Sequence, residues 1–311
     1  SACGAGPATP AATAEQVDHA DATPAATGQL ASATWLLTRE PATLDLDADE
    51  AGASSDIIMA NVCERLMQLR PDLTSAPNLA ASYEWRTPTS LVFQLRPGVT
   101  FHDGSQMTVD DVVWSLRRHA TGDAESDEYV NVTAIAATGP AEVTLTTTQP
   151  DAVLVKALGG DAGVILQRAK VEAQGAAYGT PGGTDACSGP LTLREWRSGE
   201  QIVLAKADNY WNAERASRTD EITFRWAGED AIVNSLVTGE ATGAYLETIA
   251  SATRPPPDTR ADCGDAKPPP PPPGLIELPT NENVEFALLP RVVIDASTRI
   301  AHTMTAAATA M

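Results

Sequence analysis

His102 and Asp103 stand side by side, and an imidazole beside a carboxylate is what proton transfer would use. The context is Phe101-His102-Asp103-Gly104, a turn signal ahead of a helix. The pair is therefore assigned to a turn and not to catalysis. The other histidines, His19, His119 and His302, do not form the H-x3-5-H spacing of a metal site, so no metal is expected. Asp45, Asp47 and Asp49 imitate the first ligands of a calcium loop. The sharp-turn glycine of such a loop is replaced by Glu50, however, and its closing bidentate glutamate by Asp56. A solvated acidic loop is the expectation. The glycine-rich run 179–190 lacks the G-K-[ST] ending of a phosphate loop. Ser188 and Ser198 lie in turn sequences with no base in pattern, so no hydrolase constellation assembles. The chain reads as a non-enzyme without a cofactor, and its chemistry as non-covalent.

The elements that would position these residues are clearest in 91–119. Leu91, Phe93 and Leu95 alternate with Val92, Gln94 and Arg96, the period of a half-buried strand. Pro97-Gly98 turns the chain, and Val99 and Phe101 alternate again as a second short strand. Thr108 precedes Asp111 by three residues, the spacing of a capping box, and Val109, Val112, Val113 and Leu116 share one helical face. Arg117, Arg118 and His119 suit the helix C-terminus. Further strands are expected at 34–38, 132–135, 142–147, 191–196, 201–206 and 221–226. Helices are expected at 56–69, 152–158, 168–178 and 229–238, the last stopped by Gly239.

Charge and composition narrow the partners. The chain has 311 residues with 21 basic and 41 acidic side chains, a net charge of −20. That excludes a basic groove for nucleic acid and electrostatic adhesion to anionic lipid. No apolar run approaches the roughly 20 residues of a transmembrane helix. Ser1-Ala2-Cys3-Gly4 resembles the end of a bacterial lipobox. The segment after it is rich in Ala, Thr, Pro and Gly and cannot bury enough surface to offset its ordering entropy. Residues 1–33 are read as a disordered tether whose Cys3 carries a diacylglycerol anchor after removal of a signal peptide. That anchor would be the chain's only tie to a membrane. Cys63 and Cys187 lie in an apolar stretch and a turn, and spacing alone leaves them paired or as two free buried thiols.

The run Leu95-Arg96-Pro97-Gly98-Val99-Thr100-Phe101-His102-Asp103-Gly104, followed by Asp110-Asp111-Val112-Val113-Trp114-Ser115-Leu116, resembles the signature of the family 5 extracellular solute-binding proteins. These are the peptide-, dipeptide- and nickel-capturing components of ABC importers. The likeness extends to Leu44-Asp45, to Pro77, Leu79, Ala80, Ser82 and Trp85, and to Gly189, Pro190, Trp196, Gly199, Leu204, Tyr210 and Trp211. It departs at Leu46, Leu191, Ala207 and Asp208, where the family has Pro, an aromatic residue, Asn and Pro.

The resemblance implies a mixed α/β fold of the type II periplasmic-binding-protein kind, with 34–250 as lobe I of a two-lobe clamp. Residues 251–273 would be a Pro-rich linker and 274–311 a poorly ordered remnant or non-native tail. The second lobe would then be missing, as in a truncated or frame-disrupted product. It further implies a Cys63–Cys187 disulfide, and a ligand-facing loop after Leu44-Asp45 that brings Ala51, Ala53 and Ser54 to the cleft, with Tyr129 as a second contact. The implied function is a monomeric lipoprotein that captures peptides outside the cytoplasmic membrane and docks on ABC permease subunits. The alternative is an envelope lipoprotein on the same scaffold with a partner-binding or degenerate role.

Overall fold

The computed structural model describes residues 28–48, 51–70 and 74–246. The Cys3 anchor, the tether up to residue 27, the Pro-rich linker, the tail and the expected loss of a second lobe lie outside them.

Strand β1 (Leu30–Leu37) leads to helix α1 (Ala53–Val62), the short strands β2 (Met67–Leu69) and β3 (Ser75–Pro77), and the longer β4 (Ala80–Thr87) and β5 (Ser90–Leu95). Helix α2 (Val109–His119) precedes β6 (Val132–Gly139), β7 (Glu142–Thr147), α3 (Leu154–Ala157) and α4 (Arg168–Gln174). The hairpin β8 (Leu191–Arg197) and β9 (Gln201–Lys206) follows, then β10 (Thr219–Trp226), α5 (Glu229–Thr238) and β11 (Gly243–Ala244).

Two main sheets result. One has the order β11-β1-β10-β9-β8, with β1 parallel to both β10 and β11 and the remaining pairs antiparallel. β10 and β11 flank β1 on either side and point the same way, so the chain must cross over between them, and α5 makes that crossover. Alternation along β1 explains how both faces are covered. Ala33, Trp35 and Leu37 pack with Ile58 and Val62 of α1, while Leu36 packs on the other side with Ile232 of α5. The other sheet, β4-β5-β7-β6, is antiparallel throughout. Its inner face carries Leu91, Phe93, Leu95, Val143 and Leu145, and α2 lays Val112, Val113 and Leu116 on it.

The capping box of α2 forms as read. Thr108 accepts from the Asp111 N–H, and the Asp111 side chain accepts from the Thr108 N–H at 2.9 Å. Gly239 closes α5 with φ +77°. Other expectations need correction. Residues 30–33 are sheet and not tether, because Leu30 already pairs with Thr219 and Ala33 is buried. Val99 and Phe101 are both buried in alternation but form no strand. The chain doubles back through Gly104 (φ +85°) and leaves one bridge between Thr100 and Gln106. The helix expected over 56–69 starts at Ala53 and ends at Val62. Cys63 turns extended (φ −108°, ψ 140°) and bonds to Cys187, which fixes the break. The apolar pattern runs on because Cys63 belongs to the first core, whereas Leu66 and Met67 belong to the second.

Candidate functional site

Three polar clusters stitch the two cores together, and the first two contain residues weighed above for chemistry. The first contains His102. Its Nδ1 lies 2.5 Å from Asp185 Oδ1, and its Nε2 lies 2.9 Å from the Gly189 carbonyl. Both nitrogens face acceptors, so neither is directed at a substrate. Asp185 also accepts from Thr192 Oγ1 and the Leu193 N–H, at 2.9 Å each. Burial alone would raise this carboxyl, but the His102 hydrogen bond and charge and the Leu193 and Thr192 donors outweigh it. The group is held below the ordinary carboxylate range. Ser188 is adjacent in sequence to Cys187 and Gly189, fully buried, with no partner for its Oγ. Serine, histidine and aspartate thus gather in one region without the order or access that acyl transfer requires. A side chain at Gly189 would collide with the Val62 carbonyl, 2.2 Å from an ideal Cβ, which is why this turn closes tightly on the end of α1.

The second cluster replaces the apparent calcium loop. Arg118 donates to Asp45 at 2.5 Å and to Asp47, and its guanidinium lies 5.9 Å from the Trp114 ring centroid and 5.8 Å from that of Tyr178. His119 Nδ1 is 2.5 Å from Asp47 Oδ1, and its Nε2 donates to the Val164 carbonyl at 2.7 Å. Burial pushes His119 down, yet the bond and charge of Asp47 and the Val164 carbonyl prevail and hold it above its ordinary value. The carboxylates of Asp45 and Asp47 are therefore committed to cations of α2. On the other side, Gly179 (φ +76°) accepts from the Leu44 N–H and from Thr43 Oγ1, and comes too close to Asp45 for any side chain.

The third cluster centres on Glu64, which is 1% exposed. It accepts from Asn78 Nδ2 at 2.7 Å and from the Tyr210 hydroxyl. Periodicity and spacing did not distinguish Glu64 from a surface acid; only the likeness of Cys63-Glu64-x-Leu66 to the family's Y/C-E-x-L marked it. Asp185 was hidden in a turn rich in small residues, and the Arg118–Asp45 contact joins residues far apart in the chain.

The residues expected to meet ligand lie elsewhere. Strands β1, β10 and β11 run parallel, and their carboxyl ends share one rim of the sheet. Ligands of open α/β sheets bind at such rims. Helix α1 begins there, since Ser54 Oγ donates to the Arg39 carbonyl just beyond β1 and Ser55 Oγ donates to that of Thr43. Ala51 and Ala53 are half-buried beside this junction. Ser54 is buried and its hydroxyl is already used. Tyr129 is a correction: it is 4% exposed inside the second core, and its hydroxyl donates to the Ala162 carbonyl, which leaves no face for a ligand. The small cleft between Leu44, Met59, Tyr178 and Leu193 is far too small to enclose an ordinary small-molecule ligand. Among the described residues no group of three or more His, Cys, Asp or Glu is arranged to hold a metal ion.

Residues 74–263 match the sequence model of the bacterial extracellular solute-binding proteins, family 5 Middle. The chain is 24% identical over 209 residues to the periplasmic oligopeptide-binding protein OppA of Escherichia coli K12, covering 61% of this chain and 38% of OppA. Among solved structures, AgaA of A. tumefaciens R10 in complex with agropinic acid superposes with a TM-score of 0.62 at 26% identity, covering 68% of this chain and 43% of AgaA. AppA of Bacillus subtilis in complex with a nonapeptide gives a TM-score of 0.58 at 20% identity, covering 68% and 44%. The mixed α/β fold is that of the type II periplasmic binding proteins. The chain spans less than half the length of these relatives.

Proposed function

Because the chain belongs to the bacterial extracellular solute-binding proteins of family 5, we propose that it captures peptides outside the cytoplasmic membrane for delivery to ABC permease subunits. The observation that carries this reading is the rim where three parallel strands end beside the start of α1. An extended peptide laid along it would meet backbone groups and small side chains at Ala51 and Ala53, the means by which backbone is recognised without regard to sequence. Ser54 would hold the floor through its bond to Arg39. The peptide-bound relative AppA supports the ligand class through shared fold. A diacylglycerol on Cys3 would tether a monomer at the outer face of the cytoplasmic membrane, and hinge closure onto ligand would precede docking on the permease.

Isothermal titration of the full chain with mixed di- to pentapeptides is the test. Saturable heat with peptides is the expected result. Heat with agropinic acid and none with any peptide would replace peptides by opines as the ligand class.

A further inference from the structure

Strands β4, β6 and β8 are outer strands of the two main sheets, and each leaves one side of its backbone without a neighbouring strand. Such an edge accepts a further strand unless something blunts it, most often charged side chains or proline. β4 carries Glu84 and Arg86, paired at 2.7 Å, and β8 carries Arg194, Glu195 and Arg197. β6 reads Val-Thr-Ala-Ile-Ala-Ala-Thr-Gly, with neither charge nor proline. Its protection comes from another element.

The ladder fixes which groups β6 turns outward. The Thr147 N–H donates to the Thr89 carbonyl at 2.9 Å and the Leu95 N–H to the Ala141 carbonyl at 2.8 Å, so the odd-numbered residues of β7 bond to β5. Ile135 and Ala137 lie opposite Leu145 and Val143. Their own N–H and C=O groups therefore point away from β7, towards the open side. One of these four groups is taken. Arg117, an exposed residue in the last turn of α2, donates to the Ile135 carbonyl from Nε at 3.0 Å and from Nη2 at 2.6 Å. Two donors fill both lone pairs of that oxygen.

We propose that Arg117 guards β6 against a second copy of this chain, and that without it two copies pair edge to edge, β6 against β6. Identical strands related by a two-fold axis run antiparallel. With the axis at Ala136, Ile135 of each copy faces the partner's Ala137 and four backbone hydrogen bonds form. Two of them need the Ile135 carbonyls that Arg117 occupies. A second copy fits this edge because the strand is uncharged, so no like charges meet, and because the residue on the axis is a small alanine. The inference is independent of peptide capture: β6 belongs to the four-stranded sheet, whereas the proposed ligand rim belongs to the five-stranded one.

Sedimentation velocity of the full chain over about 1–100 µM, in about 0.3 M salt to screen the net charge of −20, is the test and needs no ligand. The unaltered chain is expected to stay monomeric. Arg117→Ala is expected to dimerise, with self-association at least about tenfold tighter, and Arg117→Lys, which lacks the planar fork, to fall between them. Ala136→Lys added to Arg117→Ala sets two ammonium groups against each other on the axis and should return the monomer. Mixing that double variant with Arg117→Ala, Ala136→Glu should restore the dimer. A monomeric Arg117→Ala or a dimer already present in the unaltered chain would overturn the proposal. So would association that Ala136→Lys does not weaken, since that is the behaviour of a misfolded aggregate and not of paired strands. Peptide binding gained by an Arg117→Ala chain that stays monomeric would make a peptide the occupant of the edge and equally overturn it.

Discussion

At the scale of single residues, titratable groups oppose one another across pH. Asp185 is held low by His102 and its other donors, so the stability it contributes is present above its unfolded value near 3.8 and is lost as pH falls through the folded value. His119 is held high, so its contribution is complete below 6.5 and is lost as pH rises through the folded value. Asp56 and Glu125 act in the same direction as His119. Ionising them in the unfolded chain begins near 3.8 and 4.5, while the folded groups keep their protons to about 7, so stability declines through that interval. The sum places the maximum on the acid side of neutrality, and urea unfolding should give a free energy on the order of 2 kcal/mol higher at about pH 5 than at about pH 8. A maximum at or above neutral pH would contradict these assignments. Asp185→Asn should cost about 3 kcal/mol at any pH above 5 or so, since His102 then loses the charge it faces in a buried setting.

The elements show what local sequence can and cannot convey. Helix α2 was legible because its signals are all local: a Thr–Asp cap, an apolar stripe and terminal cations. Removing the cap by Thr108→Ala should cost about 1 kcal/mol in chemical denaturation, and Thr108→Ser should cost little, because the acceptor to the Asp111 N–H is retained. Equal losses for both variants would show that the Thr108 methyl packing, and not the cap, stabilises the start of α2. Helix α1 was misjudged for the opposite reason. Its apolar periodicity continues past Val62, but a covalent bond to a residue 124 positions away ends the helix and redirects the chain. The pairing of Cys63 with Cys187 could be inferred only through family likeness, and Tyr129 was misplaced by the same route, since a position in a loop says nothing of whether the ring points inward. Arg118 and His119 illustrate a subtler loss. Their place at the end of α2 suggested a dipole effect, whereas the fold uses them to grip Asp45 and Asp47, a contact no periodicity reports.

On the scale of the whole molecule, two hydrophobic cores share one folded body because their boundary is crossed by bonds of several kinds. The Cys63–Cys187 disulfide closes the first core at the end of α1, just before the chain enters the second. His102–Asp185 joins the loop after β5 to the segment before β8, and Glu64 joins Asn78 to Tyr210. Arg118 ties α2, on the four-stranded sheet, to the loop after β1. The disulfide closes a loop of 124 residues, which in the chain-entropy view stabilises the folded state by about 4–5 kcal/mol through the unfolded ensemble. The Cys63→Ser, Cys187→Ser double variant should therefore lose about that much in urea unfolding. It should nevertheless unfold in one transition, because the ties that span the boundary are ionic and hydrogen-bonded, while the sulfur bridge lies within the first core. Tryptophan emission and far-ultraviolet circular dichroism, which weight the two cores differently, provide the check. Coincident curves would mean that the polar clusters suffice to couple the cores. Separated midpoints would mean that the second core outlasts a first core weakened by loss of its disulfide, and that His102–Asp185 and Arg118–Asp45 do not couple the two.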